Sequence, residues 1–424
     1  MRPPTPRRSP PDVASGGSAA VADATGGVPR DAGDDADDAP GAFAAAVVAW
    51  QRRAGRHDLP WQRTRDPYRI WVSEIMLQQT QVGTVLGYYG RFLERFPDVA
   101  ALARAEPDEV LGLWSGLGYY SRARNLHACA RAVVERHGGV FPADPAALEA
   151  LPGIGRSTAA AIAAFAWGVR APILDGNVKR VLCRVFAVDG FPGERAVALA
   201  LWALAERELP DAGDGAVEAY TQGLMDLGAT LCTRSRPRCH DCPVAARCGA
   251  RLQGRVDALP AKRPARRVAV RTAELVLLLS GDAVLLERRP ATGLWGGLWS
   301  LPEFSPPAKD GPASQADAAA VSAWVGRRFG VRVAQAAVHG EIRHAFTHFR
   351  LQARVWQVRL EAGAPVPAGV LERLAPRDAG AAPLPRPVRS LLEGLDDTAG
   401  RAASVASLRA PDAAGASAAP PTGG

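Results

Sequence analysis

The sequence contains no long hydrophobic run and no leader-like segment. None of its apolar stretches reaches the ~18 residues that a membrane-spanning helix needs. The first residues are Pro, Arg, Ser and Asp, where a secretory signal peptide would have an apolar core. We therefore expect a cytoplasmic protein.

Cysteine is also scarce, with six residues in a chain of 424. In a long cytosolic chain, so few thiols indicate metal or redox chemistry before disulfide bonds. Cys129 and Cys183 lie in helix-like patterns and are expected to be packed core thiols. The other four have the spacing C-x6-C-x2-C-x5-C. A zinc site usually combines two Cys-x-x-Cys pairs and this run has only one, so the spacing favours an iron–sulfur cluster. The candidate ligands are Cys232, Cys239, Cys242 and Cys248.

Acidic residues are too few to balance the basic ones, and the formal net charge is +8. Residues 1–41 hold four Arg and seven Asp, a net −3, which leaves +11 on the remainder of the chain. A basic globular body indicates a polyanionic partner, with nucleic acid as the first candidate. Charge alone is equally compatible with an ordinary soluble basic protein.

Strand patterns are missing from residues 42–250, where the apolar spacing is helical. We expect an all-α domain there, and short β-type runs around one helix-like stretch predict an α+β domain at 272–391. The basic linker at 251–271 carries seven Arg or Lys and one Asp. Residues 1–41 and 392–424 are predicted to be disordered tails, because their composition is typical of chains that cannot form a core.

One carboxylate lies inside an apolar helix-like run, WVSEIMLQQTQV (71–82). On a helix, Glu74 shares a face with Ile70 and Leu77. Burial disfavours the charged form, so the pKa of Glu74 is expected to be raised into the range of a general acid. The alternative is an exposed glutamate on an amphipathic helix.

A second carboxylate, Asp175 in PILDGNVKRVL, precedes a helical segment. An aspartate there is a strong helix N-cap, which would hold the carboxylate rigid and ionised. One protonated and one charged carboxyl in different environments are the pattern of glycosidic bond cleavage.

The segment LPGIGRSTAAAIAAFAWG (151–168) predicts a tight turn followed by an alanine-rich helix. Gly153 and Gly155 would let the backbone turn and let a phosphate approach its N–H groups. The N-terminus of the following helix favours an anion at the same place. A plain helix–turn–helix corner is the alternative.

Taken in order, WVSEIMLQQTQV, GLGYYSRARNL, LPGIGRSTA, LDGNVKRVL and the cysteine run resemble the adenine DNA glycosylases of the MutY type. These belong to the helix-hairpin-helix superfamily of endonuclease III. The resemblance implies a helix-hairpin-helix glycosylase domain with a [4Fe–4S] cluster held by the four cysteines. It also implies excision of adenine mispaired with 8-oxoguanine or guanine in double-stranded DNA, during base excision repair. We expect a monomer that is nucleoid-associated through DNA binding.

The resemblance assigns roles to individual residues. Glu74 would protonate N7 of an extruded adenine and then activate the water. Asp175 would stabilise the positive sugar, and Asn177 would orient groups around it. Gln79 and Tyr119 would fill the gap that the extruded base leaves in the duplex.

A lysine is missing after the turn of the hairpin. Glycosylases of this superfamily that also cleave the backbone have a lysine there, whose amine forms a Schiff base with the sugar. This chain has Ser157, and a hydroxyl cannot form an imine, so the resemblance implies a monofunctional glycosylase. The remaining predicted DNA contacts of this domain are Ser157, Gly153, Gly155 and Gln222, the last at the place where the family contacts adenine.

An acidic cluster is missing from the second domain. RRPATGLWGGLWSLPEF (288–304) resembles the C-terminal Nudix-like domain of the family. A Nudix hydrolase needs an acidic helix to hold Mg²⁺, but the helix candidate reads AAVSAWVGRRFG, so this domain should bind without hydrolysing. In the family, a Phe-Ser-His loop recognises 8-oxoguanine. Here Phe346, Thr347 and His348 would do so, with a hydroxyl retained at the middle position.

Three other functions were weighed against this one. An endonuclease III-type glycosylase-lyase acting on oxidised pyrimidines is disfavoured by Ser157 and by the second domain. A non-catalytic DNA-binding module with a redox cluster is disfavoured by the presence of Glu74 and Asp175. A nucleotide pyrophosphohydrolase is disfavoured by the missing acidic cluster.

Overall fold

Most of the chain is described by the structure, a computed structural model, with side chains described up to residue 396. The described ranges are 41–263, 268–290, 292–305, 317–346, 348–367 and 369–407. The disordered tail predicted at 1–41 thus lies outside them, apart from Gly41, which precedes the first helix. Within these ranges no helix is both long and apolar enough to cross a membrane.

The helical domain predicted from the apolar spacing is confirmed. A π-helical turn, Leu227–Leu231, leads into the cysteine run. The helices are α1 (Ala42–Ala54), α2 (Pro67–Leu77), α3 (Val82–Arg95), α4 (Val99–Arg104), α5 (Pro107–Trp114), α6 (Ser121–His137), α7 (Pro145–Glu149), α8 (Arg156–Trp167), α9 (Gly176–Val185), α10 (Arg195–Arg207), α11 (Ala216–Asp226) and α12 (Gly249–Leu252).

Helix α2 shows how local sequence sets these boundaries. Asp66 caps its N-terminus by accepting a hydrogen bond from the backbone N–H of Tyr68. Pro67 occupies the first helical position, where its missing N–H has no helical partner to lose. The helix then buries Trp71 and Ile75, because its sequence carries apolar side chains on most of its surface.

Two hydrophobic cores organise the helical domain. One contains Trp71, Phe92 and Trp114 and includes α2 to α6. The other contains Val47 and Leu182 and includes α1, α9 and α11. Helix α8 contributes residues to both cores, so it lies between them.

The C-terminal α+β domain is built on a mixed sheet with strand order β3-β2-β1-β6-β5, in which β4 pairs with β1 and β7 with β2. Strands β1 and β6 are parallel, and the other pairs are antiparallel. The strands are β1 (Ala269–Ser280), β2 (Ala283–Arg288), β3 (Trp299–Ser300), β4 (Glu303–Phe304), β5 (Val333–Ala345), β6 (Phe349–Leu360) and β7 (Leu371–Leu374). Two further helices are α13 (Ala318–Phe329) and α14 (Arg386–Ser407).

The alternation of side chains along β1 gives the sheet two buried faces. Val276 and Leu278 pack with Val325 of α13 in one cluster. Leu275 and Leu277 point the other way and join the core that contains α2 to α6. One hydrophobic core therefore spans the helical domain and the sheet.

Polar contacts reinforce this junction. Asp108 accepts a hydrogen bond from the indole of Trp299 at 3.3 Å and pairs with Arg288. Arg124 donates to the carbonyl of Gly296 at 2.6 Å. The helical domain and the sheet belong to one compact unit.

Several sequence expectations need correction. The β-type runs recognised in the sequence did not include β5 or β7. Strand β5 lies at the edge of the sheet, and its exposed Ala and Gln side chains give no apolar alternation. The linker expected at 251–271 is shorter, since α12 reaches Leu252 and β1 begins at Ala269. The tail expected at 392–424 is helical as far as Ser407, and residues 408–424 lie outside the described ranges.

The start of the supposed tail is part of the fold, because Leu392 is fully buried in the core shared with the helical domain. We expect Leu392→Ala to lower the free energy of unfolding by about 2–4 kcal/mol, the cost of a core cavity. Chemical denaturation measures this, with the exposed neighbour substitution Glu393→Ala as the control. Equal stability of the two variants would contradict a packed α14.

Candidate active site

Glu74 lies in α2 and is partly buried among apolar neighbours. Burial raises the pKa of Glu74 to about 8, and the negative charge of Asp175 adds to the increase. The raised pKa predicted from the sequence is therefore confirmed. A carboxyl with such a pKa carries its proton at neutral pH and can give it away.

The side chain of Glu74 lines a cleft of about 900 Å³, a volume that includes space open to solvent. Trp61, Ile70 and Phe165 supply apolar walls, and Arg56 and Gln222 supply polar groups. Most of the other residues that line the cleft are polar or charged, so it combines apolar surfaces with hydrogen-bonding groups, as a site for a planar polar ligand requires.

A buried network fixes Gln222 in this cleft. Asp226 is fully buried and accepts hydrogen bonds from the backbone N–H of Arg56 at 2.8 Å and from its Nε at 2.6 Å. The amide nitrogen of Gln222 donates to the same carboxylate at 2.8 Å. Because a carboxylate only accepts, the carbonyl oxygen of Gln222 is left for other partners. Arg56 and Asp226 were missed by sequence reasoning, although an aspartate in the apolar run GLMDLGA was a signal.

Asp175 is the N-cap of α9, as predicted, since its carboxylate accepts a hydrogen bond from the N–H of Val178 at 2.7 Å. Burial raises the pKa of Asp175, against the lowering effect of the backbone N–H groups of Val178 and Asn177 and the charge of Arg180. The cap favours the ionised form expected from the sequence, and burial acts against it. The negative charge of Asp175 in turn contributes to the raised pKa of Glu74.

Ser157 supports the backbone next to Asp175. Its hydroxyl oxygen accepts a hydrogen bond from the N–H of Leu174 at 2.9 Å. Ser157 thus contacts the chain directly before the second carboxylate.

Asn177 is linked to the cysteine run through one arginine. Arg180 Nη2 donates to Asn177 Oδ1 at 2.9 Å and to the carbonyl of Gly228 at 2.7 Å, and its Nε donates to the carbonyl of Cys232 at 2.8 Å. Gly228 must be small here, because a Cβ atom would lie 2.6 Å from Cβ of Asn177. Helix α9 therefore joins the carboxylate end of the site to the cysteine run.

The four predicted cysteine ligands line one cavity with apolar walls from Val181 and Val244. Arg184 Nη1 lies 3.4 Å from Sγ of Cys232 and donates to the carbonyl of Thr233 at 2.7 Å. Within the described ranges, no three His, Cys, Asp or Glu side chains are grouped closely enough to hold a single metal ion. Four thiols around one cavity are the donor set that an iron–sulfur cluster takes. Cys129 and Cys183 are fully buried core thiols, as predicted.

The hairpin turn confirms one predicted glycine requirement and corrects the other. Gly153 has φ +79°, and a Cβ atom there would lie 2.6 Å from Cβ of Asn125. Gly155 has φ −98°, and a Cβ atom would meet nothing within 4 Å. Glycine is therefore needed for the turn only at Gly153, and the open space at Gly155 is the side from which a ligand could approach α8.

Gln79 and Tyr119 are both exposed and both have left-handed backbone conformations, with φ of 57° and 49°. Such a conformation costs a residue with a side chain about 1–2 kcal/mol. Strained exposed residues of this kind often mark functional turns.

Phe346 and His348 of the predicted Phe-Thr-His segment lie between β5 and β6, where the N–H of Phe346 donates to the carbonyl of Phe349 at 2.8 Å. The ring of Phe346 stacks on that of Phe349 with centroids 4.6 Å apart, and His348 is exposed. Thr347 lies outside the described residues.

Family models match both domains of the chain. Residues 72–207 match the HhH-GPD superfamily of base excision DNA repair proteins, and residues 274–394 match the NUDIX domain family. The adenine DNA glycosylase of Buchnera aphidicola subsp. Baizongia pistaciae is 38% identical over 263 residues, covering 62% of this chain and 74% of the relative. That of Homo sapiens is 36% identical over 380 residues, covering 77% of this chain and 68% of the relative. The solved structure of a thermostable thymine-DNA glycosylase is 31% identical, with a TM-score of 0.46, and covers 50% of this chain and 95% of its own.

The raised pKa of Glu74 predicts a pH-dependent stability difference. The ordinary value is 4.5 and the folded value is about 8, so the folded state holds an extra proton between them. The penalty for ionising Glu74 is absent below pH 4.5, grows as the pH rises, and is complete above about pH 8. We expect the melting temperature of Glu74→Gln to exceed that of the wild-type protein by a margin that grows as the pH rises through this interval. Thermal unfolding at several pH values measures this margin. The control is Glu94→Gln, at an exposed position. If the melting temperatures of Glu74→Gln and the wild-type protein differed by the same amount at every pH, the raised pKa of Glu74 would be contradicted.

Proposed function

The chain belongs to the adenine DNA glycosylase family of base excision repair, and we propose that it removes adenine mispaired with 8-oxoguanine or guanine as a monofunctional glycosylase. The observation that carries this proposal is the protonated carboxyl of Glu74 in the cleft, with a pKa of about 8. Its substrate is double-stranded DNA, on which we expect it to act as a monomer. We propose the same cytoplasmic, nucleoid-associated setting as expected from the sequence.

In the proposed reaction, Glu74 donates its proton to N7 of an adenine extruded into the cleft. The bond between N9 and the sugar carbon C1′ then breaks, and its electron pair leaves with the base. The Glu74 carboxylate that remains accepts a proton from the attacking water, whose oxygen bonds to C1′. The products are free adenine and an abasic site, and Glu74 regains its proton.

Asp175 is assigned to the positive charge that develops on the sugar. The negative charge of Asp175 raises the pKa of Glu74, which favours a pair with one charged and one protonated carboxyl. The cap to Val178 holds this carboxylate in one orientation. Asn177, fixed by Arg180, would orient groups around the sugar.

Base recognition is assigned to Gln222, whose amide nitrogen is engaged by Asp226. Its carbonyl oxygen can accept a hydrogen bond from the exocyclic amine of adenine, and guanine offers an acceptor at that position. We assign Gln79 and Tyr119 to the gap in the duplex. Gly153 and Gly155 are assigned to the phosphate backbone near the N-terminus of α8.

The absence of a lyase step is proposed from Ser157. Its hydroxyl already accepts a hydrogen bond from the chain and carries no amine that could form an imine. These side chains therefore support hydrolytic release of the base by water.

We propose that Cys232, Cys239, Cys242 and Cys248 hold a [4Fe–4S] cluster. When bound, the cluster would supply four metal–thiolate bonds that close the cysteine run into a rigid loop. Arg180 and Arg184 of α9 donate hydrogen bonds to that loop. In this proposal the cluster takes no part in the reaction.

The C-terminal domain, proposed at 272–391, is assigned to recognition of 8-oxoguanine through the turn that contains Phe346, Thr347 and His348. Its helix α13 has the sequence AAAVSAWVGRRF, without a carboxylate that could hold Mg²⁺. A binding role is therefore favoured over nucleotide hydrolysis.

The proposed activity is tested with end-labelled duplex that carries adenine opposite 8-oxoguanine, with each sample split between neutral and hot alkaline treatment. We expect strand breaks only after alkali, because a monofunctional glycosylase leaves the abasic strand intact. Glu74→Gln should bind this duplex but release no base. Breaks without alkali would instead indicate a glycosylase-lyase, and no product in either sample would contradict both functions.

The assignment of the β5–β6 turn predicts a loss of selectivity. We expect His348→Ala to lower the ratio of adenine release opposite 8-oxoguanine to that opposite guanine by about tenfold, the value of one or two hydrogen bonds. Release opposite guanine should stay near the wild-type rate. Arg350→Ala, also exposed and two residues away, is the matched control. An unchanged ratio for His348→Ala would show that the turn does not read the opposite base.

A further inference from the structure

A single buried arginine contacts the two turns that carry Gln79 and Tyr119. Arg122 lies in the first turn of α6 and is only 7% exposed. Gln79 and Tyr119 have φ of 57° and 49°, conformations that persist where the surroundings hold them. The contacts of Arg122 identify what holds them.

On the side of Gln79, Arg122 binds the end of α2. Its Nη1 donates to the carbonyls of Ile75 and Met76 at 2.9 and 2.8 Å. Its Nη2 donates to Oγ1 of Thr80 at 3.0 Å. These acceptors belong to the last turn of the helix and to the residue directly after Gln79.

On the side of Tyr119, the same guanidinium binds the loop before α6. Nη2 donates to the carbonyls of Leu117 and Gly118, each at 3.2 Å. The Gly118 carbonyl belongs to the peptide unit that joins it to Tyr119. The guanidinium carbon also lies 5.7 Å from the centroid of the Tyr119 ring.

Few side chains could replace this arginine. Five acceptors from two separate turns converge on one planar group, and both terminal nitrogens are used. A lysine ammonium has three donors on one atom and cannot reach all five. Burial lowers the pKa of Arg122 to about 10, which leaves the group charged at neutral pH.

We propose that Arg122 is a positioning residue for base extrusion, which fixes the backbones of Gln79 and Tyr119 at one spacing so that both side chains enter the same gap in the duplex. This rests on the role proposed above for Gln79 and Tyr119. The five hydrogen bonds of Arg122 go neither to Glu74 nor to Asp175. Arg122 is also not among the residues that line the cleft. Its loss should therefore slow extrusion and leave the proton transfer by Glu74 unchanged.

The test measures extrusion and bond cleavage separately. Extrusion is followed by the fluorescence of 2-aminopurine placed beside a non-hydrolysable 2′-fluoro adenosine opposite 8-oxoguanine. Cleavage is followed as the single-turnover rate on the hydrolysable duplex across a range of pH. The variants are Arg122→Lys and the milder Thr80→Val. The second removes one of the five acceptors that bind Arg122, an arrangement we call the clamp. The control is Arg131→Lys, an exposed arginine of the same helix.

We expect Arg122→Lys to lower both the fluorescence amplitude and the single-turnover rate by about tenfold, and Thr80→Val by about twofold, through lost hydrogen bonds. Arg131→Lys should match the wild-type protein. The pH at which the rate is half-maximal should not move in any variant, because Glu74 is untouched. If Arg122→Lys does not fold, Thr80→Val decides the question alone.

Two results would overturn the proposal. Wild-type fluorescence amplitude in a folded Arg122→Lys or in Thr80→Val would show that the clamp does not serve extrusion. A displaced pH midpoint would show that Arg122 acts on the carboxylates. Gln79→Ala and Tyr119→Ala are measured alongside. If both keep the full amplitude, the assignment of this pair fails and the clamp proposal falls with it. A wild-type protein that extrudes but releases no adenine contradicts only the proposed chemistry.

Discussion

Helix α8 is buried between two hydrophobic cores, and the placement of both carboxylates depends on it. Ile162 packs in the core that contains α2, and Ala160 packs in the core that contains α9. Glu74 is carried by α2, and Asp175 begins α9. Because alanine side chains let neighbouring helices approach closely, α8 brings the two carboxyls near enough for the charge of one to raise the pKa of the other.

Several arginines of this basic chain serve the fold. Arg122 holds two turns, Arg180 joins Asn177 to the cysteine run, and Arg184 donates to several carbonyls around it. Arg56 satisfies the buried carboxylate of Asp226. A guanidinium suits this task because its planar fork bonds several backbone carbonyls at once.

Sequence patterns predicted the features that depend on neighbouring residues. The helical spacing, the cap at Asp175 and the turn at Gly153 are local, and each is present. The errors concern features set by distant parts of the chain. Leu392 was assigned to a disordered tail, but the core shared by sheet and helices buries it. The cap at Asp175 was predicted, but the burial that raises its pKa was not visible in the local sequence.

The sequence by itself determined the family, the two-domain fold class and the candidate active-site side chains, because these depend on residue types at fixed spacing. Only the tertiary structure decided the environment of those side chains. Three features depend on residues that are far apart in the chain. They are the desolvation of Glu74, the network that orients Gln222 and the clamp around Arg122. Their energies depend on burial and on distances of a few ångströms, which arise only when the helices pack.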